Sequence, residues 1–148
     1  MSAPIPFAPG AARVFLVGQA AFTALVPAAS VTTRDVPDPI RGPFVTLRGM
    51  GGSGDDPMLR TPTVQLDAWA PSLEILGGTT DPEEVAWDIA AMAGQLLGRA
   101  RNIPFCGSAW SGHWRTGILT AVDKTRGPDQ LIFRATIRVD LKMRAARA

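Results

Sequence analysis

The stretch LIFRATIRVDLKM, Leu131 to Met143, decides how the rest of the chain is read. Leu131, Phe133, Ala135, Ile137, Val139, Leu141 and Met143 fall on one side of an extended chain, and Arg134, Thr136, Arg138, Asp140 and Lys142 on the other. Period-two alternation is the mark of a strand with one buried and one polar face, as in an antiparallel sheet covered on a single side. Thirteen alternating residues exceed the usual strand length, so this strand is expected to bend or to run past its neighbours.

Upstream, Thr63 to Ala70 alternates in the same way. Val64, Leu66 and Ala68 lie on its apolar face, and Thr63, Gln65, Asp67 and Trp69 on its polar face. Phe44 to Arg48 is β-branched and aromatic and reads as another strand, as do the short piece Ser30–Arg34 and Thr116–Lys124. A turn follows the latter at Arg126-Gly127-Pro128-Asp129. Gly49 to Thr61, with Gly49, Gly51, Gly52 and Gly54 followed by Asp55-Asp56-Pro57, reads as a long flexible loop. Ordering such a stretch costs roughly 1–2 kcal/mol per residue, so it is expected to become ordered against a neighbouring chain, with Met58 and Leu59 as anchors.

Two helices complete the pattern. The first is expected over residues 11–25, closed by Pro27, with Val14, Val17, Gly18, Ala21, Phe22 and Leu25 as its apolar stripe. After a linker at 71–80, the second starts on Thr80 or Asp81 as cap, Pro82 at the first helical position and Glu83-Glu84 in the first turn. It runs to about Arg101 with Val85, Ile89, Met92, Leu96 and Ala100 on one face. Pro4, Pro6 and Pro9 make residues 1–10 an extended N-terminal arm ahead of a single domain over 11–148. The fold class is α+β, a mostly antiparallel sheet with two helices packed on one face in the order α-β-β-β-α-β-β.

Bulk properties narrow the function. The 148 residues suit one domain, and 46% hydrophobic against 19% charged residues is globular composition. The net charge of +2 is too mild to imply nucleic-acid binding by itself. The basic residues nevertheless crowd the end of the chain, at Lys124, Arg126, Arg134, Arg138, Lys142, Arg144 and Arg147. No apolar run approaches the ~20 residues of a membrane span, and no secretory signal is read at Met1–Gly10. One cysteine, Cys106, permits neither an intrachain disulfide nor a thiolate metal cage, and a reducing compartment is expected.

Candidate chemistry is thin. Cys106 and the single histidine, His113, lie seven apart with no third group to orient an imidazole. Asp55-Asp56 lacks the alternating ligands of a calcium loop. Gly49–Gly54 lacks the Gly-Lys-Ser/Thr ending and the following helix of a phosphate-binding loop. No catalytic residue, metal or cofactor is expected. The basic face of the last strand, Arg134, Arg138 and Lys142, is the most informative polar set, since phosphate contacts need only placed cations. Trp69, on the polar face of its own strand, is expected under the linker or at a subunit contact.

Pro43-x-Val45-x-Leu47-Arg48, the Gly/Asp-rich loop, and Val64-Gln65-x-Asp67-x-Trp69 followed by a helix with an acidic start form a succession that resembles the tail-terminator (tail-completion) proteins of long-tailed bacteriophages. The resemblance runs over residues 11–143. It implies a non-enzymatic virion protein with no cofactor, a homo-oligomeric and typically hexameric ring that caps the tail tube and joins it to the head. The implied partners are further copies of the chain, the major tail (tube) protein, the head–tail connector and DNA in transit through the lumen, with no membrane. The implied location is the head–tail junction of the virion, and the host cytoplasm during assembly. On this reading Arg134, Arg138 and Lys142 line the lumen or a partner face, and Trp69, Met58 and Leu59 serve subunit contacts. A head–tail connector or stopper, a nucleic-acid-binding module using the last strand, and a Cys/His hydrolase are the alternatives.

Overall fold

The alternation at the end of the chain organises the whole sheet. In a computed structural model of the protein, which describes residues 5–33, 40–54, 59–125 and 131–144, it forms β6 (Ile132–Arg144) at the centre of six strands. The others are β1 (Val31–Thr32), β2 (Phe44–Ser53), β3 (Leu59–Pro71), β4 (Ile103–Phe105) and β5 (Ser108–Asp123), in the spatial order β1-β2-β3-β6-β5-β4. β1 and β2 are parallel, and every other neighbouring pair is antiparallel. β3 meets β6 apolar to apolar, Val64 opposite Val139, Leu66 opposite Ile137 and Ala68 opposite Ala135. All six are at most 1% exposed. A mismatch of one residue would turn each of them to the wrong side.

The helices lie on that apolar face. α1 (Ala8–Val17) sits over β1, β2 and β3, and α4 (Pro82–Arg99) over β3, β6 and β5. Their start signals work as read for α4: the Asp81 carboxylate accepts the Glu83 N–H at 2.9 Å, and Pro82 opens the helix. The buried stripe of α4 differs from expectation. It is Ala86, Ile89, Ala90, Ala93, Gly94 and Leu97, while Val85, Met92 and Leu96 flank it half-buried. Ala86, Ala90, Ala93 and Gly94 stand among the larger Ile89 and Leu97, and at Gly94 the helix comes in close. A Cβ on Gly94 would lie 2.8 Å from the ring of Trp114.

The N-terminal region also departs from the sequence reading. Helix begins at Ala8, so the last three residues of the expected arm are helical, with Pro9 in the first turn, where a missing N–H costs nothing. The expected single helix over 11–25 is broken at Gly18, and a short second helix, α2, covers Ala20–Thr23. Ala8, Ala11, Ala12 and Leu16 form the buried face, whereas Val14 is 55% exposed. The linker at 71–80 contains one more helical turn, α3 (Leu73–Leu76), closed by Gly77 in the left-handed region.

The stretch read as a loop is largely strand, and strand also begins before the expected start at Thr116. The glycine-rich segment continues β2, with Gly49 opposite Val64, Gly52 opposite Pro62 and Ser53 opposite Thr61. Most of the expected loop over 49–61 is therefore a bulged pair of antiparallel strands, and Met58 lies outside the described residues. The glycines are needed for geometry: Gly51 has φ 86°, and a Cβ on Gly52 would sit 2.6 Å from the Pro62 Cα. Likewise the segment before Thr116 is β4 and the first half of β5. Cys106 (φ 48°) and Gly107 (φ 78°) make the two-residue turn between them, and left-handed backbone at both positions is what such hairpins need. Trp110 drives this segment into the core. It is 1% exposed and meets Phe15 edge-to-face at 5.4 Å.

Candidate assembly face

Helices cover one face of the sheet, and the other carries the polar halves of three alternating strands. Register sets these side chains in rows across the strands. Phe44, Trp69, Arg134 and Ala121 form one row; Thr46, Asp67, Thr136 and Leu119 the next; Arg48, Gln65, Arg138 and Thr116 a third. Beyond them Thr63 faces Asp140, and Lys142 stands opposite Ser111. Arg134, Arg138 and Lys142, singled out in the sequence, thus share one face with Trp69. Arg138 and Lys142 are exposed and Arg134 is half-buried.

Hydrogen bonds knit the rows together. Thr136 donates to the Asp67 carboxylate at 2.5 Å, and the Gln65 side-chain amide reaches the same carboxylate at 3.2 and 3.4 Å. Arg138 Nε donates to Gln65 Oε1 at 3.2 Å. Thr63 donates to Asp140 at 2.6 Å, and Arg115 approaches that carboxylate at 3.4 Å. Thr46, Thr63, Asp67 and Thr136 are buried although no described helix covers them. Buried polar groups persist where each has a partner, and bonds to a carboxylate are the stronger kind.

Trp69 is accounted for within the chain. Its indole stacks on Phe44 at 5.7 Å with an interplanar angle of 6°, its Nε1 donates to Thr46 at 3.1 Å, and the Arg134 guanidinium stands 5.5 Å from the ring centroid. Trp69 thus packs on the sheet of its own chain and is half-buried there. Arg134 is correspondingly held over the ring, whereas Arg138 and Lys142 are exposed. A hollow of about 240 Å³ adjoins the pair, lined by Ala121, Val122 and Asp123 with Trp69 and Arg134. Leu59 begins β3 opposite Arg144 and is 36% exposed.

No family model and no curated protein matches the chain. Its fold does have a solved counterpart. A chain from the virion of a native gene transfer agent particle superimposes with a TM-score of 0.57 at 15% identity, over 90% of this chain and 93% of that one. At that identity the likeness is one of fold. A second solved chain, 16% identical over 89% of this chain and 94% of its own, has a TM-score of 0.46, too low to argue from.

The structure does not assemble the residues of the hydrolase alternative. Cys106 is exposed in the β4–β5 turn, and His113 is exposed five residues beyond Ser108 along β5, about 17 Å of strand. Among the described residues no group of three or more His, Cys, Asp or Glu could hold a metal ion. No described helix is long and apolar enough to cross a membrane.

Sequence reading found the cations and missed the network beneath them. Thr46, Asp67 and Thr136 occupy the polar positions of three separate strands. Their alternation was visible, but bringing them into one row depends on pairing register, which no single strand encodes.

Proposed function

We propose that this chain is a non-enzymatic structural protein of a phage virion, of the tail-terminator type, assembling as a ring that caps the tail tube and joins it to the head. The observation that carries the reading is the division of the sheet. Helices bury one face, and the opposite face presents Arg138 and Lys142 above a self-satisfied polar layer. A ring built with that face inward has a cation-bearing lumen, and cations suffice for sequence-independent contact with phosphate. Support for a virion role comes from the fold likeness to a chain of the gene transfer agent particle, which extends over nearly the full length of both. In this reading the partners are further copies of the chain, six in the ring, together with the tube protein, the head–tail connector and DNA passing through.

Light scattering coupled to size-exclusion chromatography, at rising protein concentration, tests the reading. A closed oligomer of fixed size is expected. A monomer or dimer at every concentration, with tight binding to duplex DNA, would instead favour a nucleic-acid-binding module. Complementation in phages lacking either the terminator or the connector separates those two junction roles, with rescue expected in the first.

A further inference from the structure

The sheet ends on two edges that its own strands leave largely uncovered. On β5, β4 pairs only with Ser108, Ala109 and Trp110. Gly112 is tied to the end of α4, donating to the Ala100 carbonyl at 3.0 Å and accepting from Arg101 at 2.8 Å. From Ile118 to Val122 no strand among the described residues pairs with the outer side, and Leu119 and Val122 are 62% and 41% exposed. At the far edge, β1 covers Val45 and Thr46 of β2. Gly49 to Ser53 have no outer strand partner among the described residues, and Met50 is 47% exposed.

Strand direction makes these edges complementary. β2, β3, β6 and β5 alternate in direction, and four is even, so β5 runs opposite to β2. Copies related by rotation about an axis along the sheet keep their strand directions. Set edge to edge, β5 of one copy therefore lies antiparallel to β2 of the next, the better-bonded arrangement. Such a contact is heterologous, the kind that closes rings.

We infer that Ile118–Val122 of one copy pairs antiparallel with Gly49–Ser53 of a second copy, so that the sheet continues from subunit to subunit. The inference rests on the ring reading above and supplies its subunit contact. Geometry agrees with closure. Leu119 stands level with Thr46, through Thr136 and Asp67. Pairing the two free stretches thus steps the register by about five residues per copy, once the bulged residue of β2 is discounted. Five steps of about 3.3 Å over four strands about 4.8 Å apart tilt the strands by about 40°, within the range that closed barrels use. Six copies would enclose about 45–50 Å between backbones, room for duplex DNA between the side chains. Both edges carry bulges, between Gly49 and Gly52 and between Trp114 and Leu119. Bulges bend and twist strands and concentrate at barrel rims.

The test places Met50→Cys and Leu119→Cys, singly and together, in a Cys106→Ser background and treats the assembled protein with a short bismaleimide. The double variant is expected to give a denaturing-gel ladder of covalent multimers up to the full ring, while each single variant stops at or below the dimer. In parallel, Leu119→Lys with Val122→Glu should raise the concentration needed for assembly at least tenfold with an unchanged melting temperature. A wild type that forms oligomers, but whose double variant gives no ladder and whose charged variant assembles normally, overturns the edge pairing and leaves the ring standing. A wild type that is monomeric throughout overturns both.

Discussion

Ile137 and Arg138 are adjacent in β6 and face opposite sides of the sheet, so one substitution applied to each tests the register directly. Ile137 is fully buried, opposite Leu66, within the core shared with α1 and α4. Truncating it to Ala removes buried methyl groups and leaves a cavity, costing about 2–5 kcal/mol. For a domain of this size that lowers the melting temperature by about 6–20 °C, at roughly 3–4 °C per kcal/mol. Ile137→Asp goes further. An unpaired carboxylate in that position costs several kcal/mol, on the order of the whole stability of a small domain at about 5–15 kcal/mol. Arg138→Asp, one residue along, exchanges an exposed side chain whose described bond is to Gln65, and exposed polar exchanges shift stability by about 0.5 kcal/mol. Urea denaturation followed by circular dichroism compares the variants on one scale. Ile137→Asp is expected to be unfolded, Ile137→Ala folded with a lowered midpoint, and Arg138→Asp close to wild type. A cooperatively melting Ile137→Asp protein, or an Arg138→Asp variant as unstable as it, would refute the assigned register.

Three further outcomes follow from the same structure. Asp67→Ala leaves the buried Thr136 hydroxyl and the Gln65 amide without their acceptor and should cost about 1–3 kcal/mol; Asp67→Asn keeps an acceptor and should cost less, so equal midpoints in a denaturant melt would mean the network contributes nothing. Replacing Arg134, Arg138 and Lys142 together by Glu should leave a folded protein that fails to rescue terminator-deficient phage, and full rescue would reduce that face to a solvated surface. Cys106→Ser and His113→Ala should each complement normally, because the two side chains lie far apart on exposed positions; loss of function in either folded variant would reopen the enzyme reading.

What the sequence disclosed depended on whether one strand or helix carried the signal alone. β6 and β3 were legible because alternation is local and each had one uniformly apolar face. The start of α4 was legible because Asp81, Pro82, Glu83 and Glu84 act within one turn. The strand over Gly49–Ser53 was not, because its glycines serve a bulge and a close approach to Pro62, requirements set by the partner strand. The stripe of α4 was displaced for a similar reason. Val85, Met92 and Leu96 flank the contact half-buried, whereas Ile89, Ala90, Ala93 and Leu97 are buried beside Gly94, where the ring of Trp114 leaves no room for a Cβ. On the candidate face the cations could be read from β6 alone, whereas the packing of Trp69 between Phe44 and Arg134 needed three strands in register.

The central claim is a closed ring with the uncovered sheet face inward, and electron microscopy of the purified wild-type protein addresses it most directly. Class averages should show rings of one size with a central channel, and a reconstruction should place Arg138 and Lys142 on the channel wall with α4 outside. Rings whose channel is lined by the helices, or a field of single particles no larger than a dimer at concentrations that saturate assembly, would contradict it.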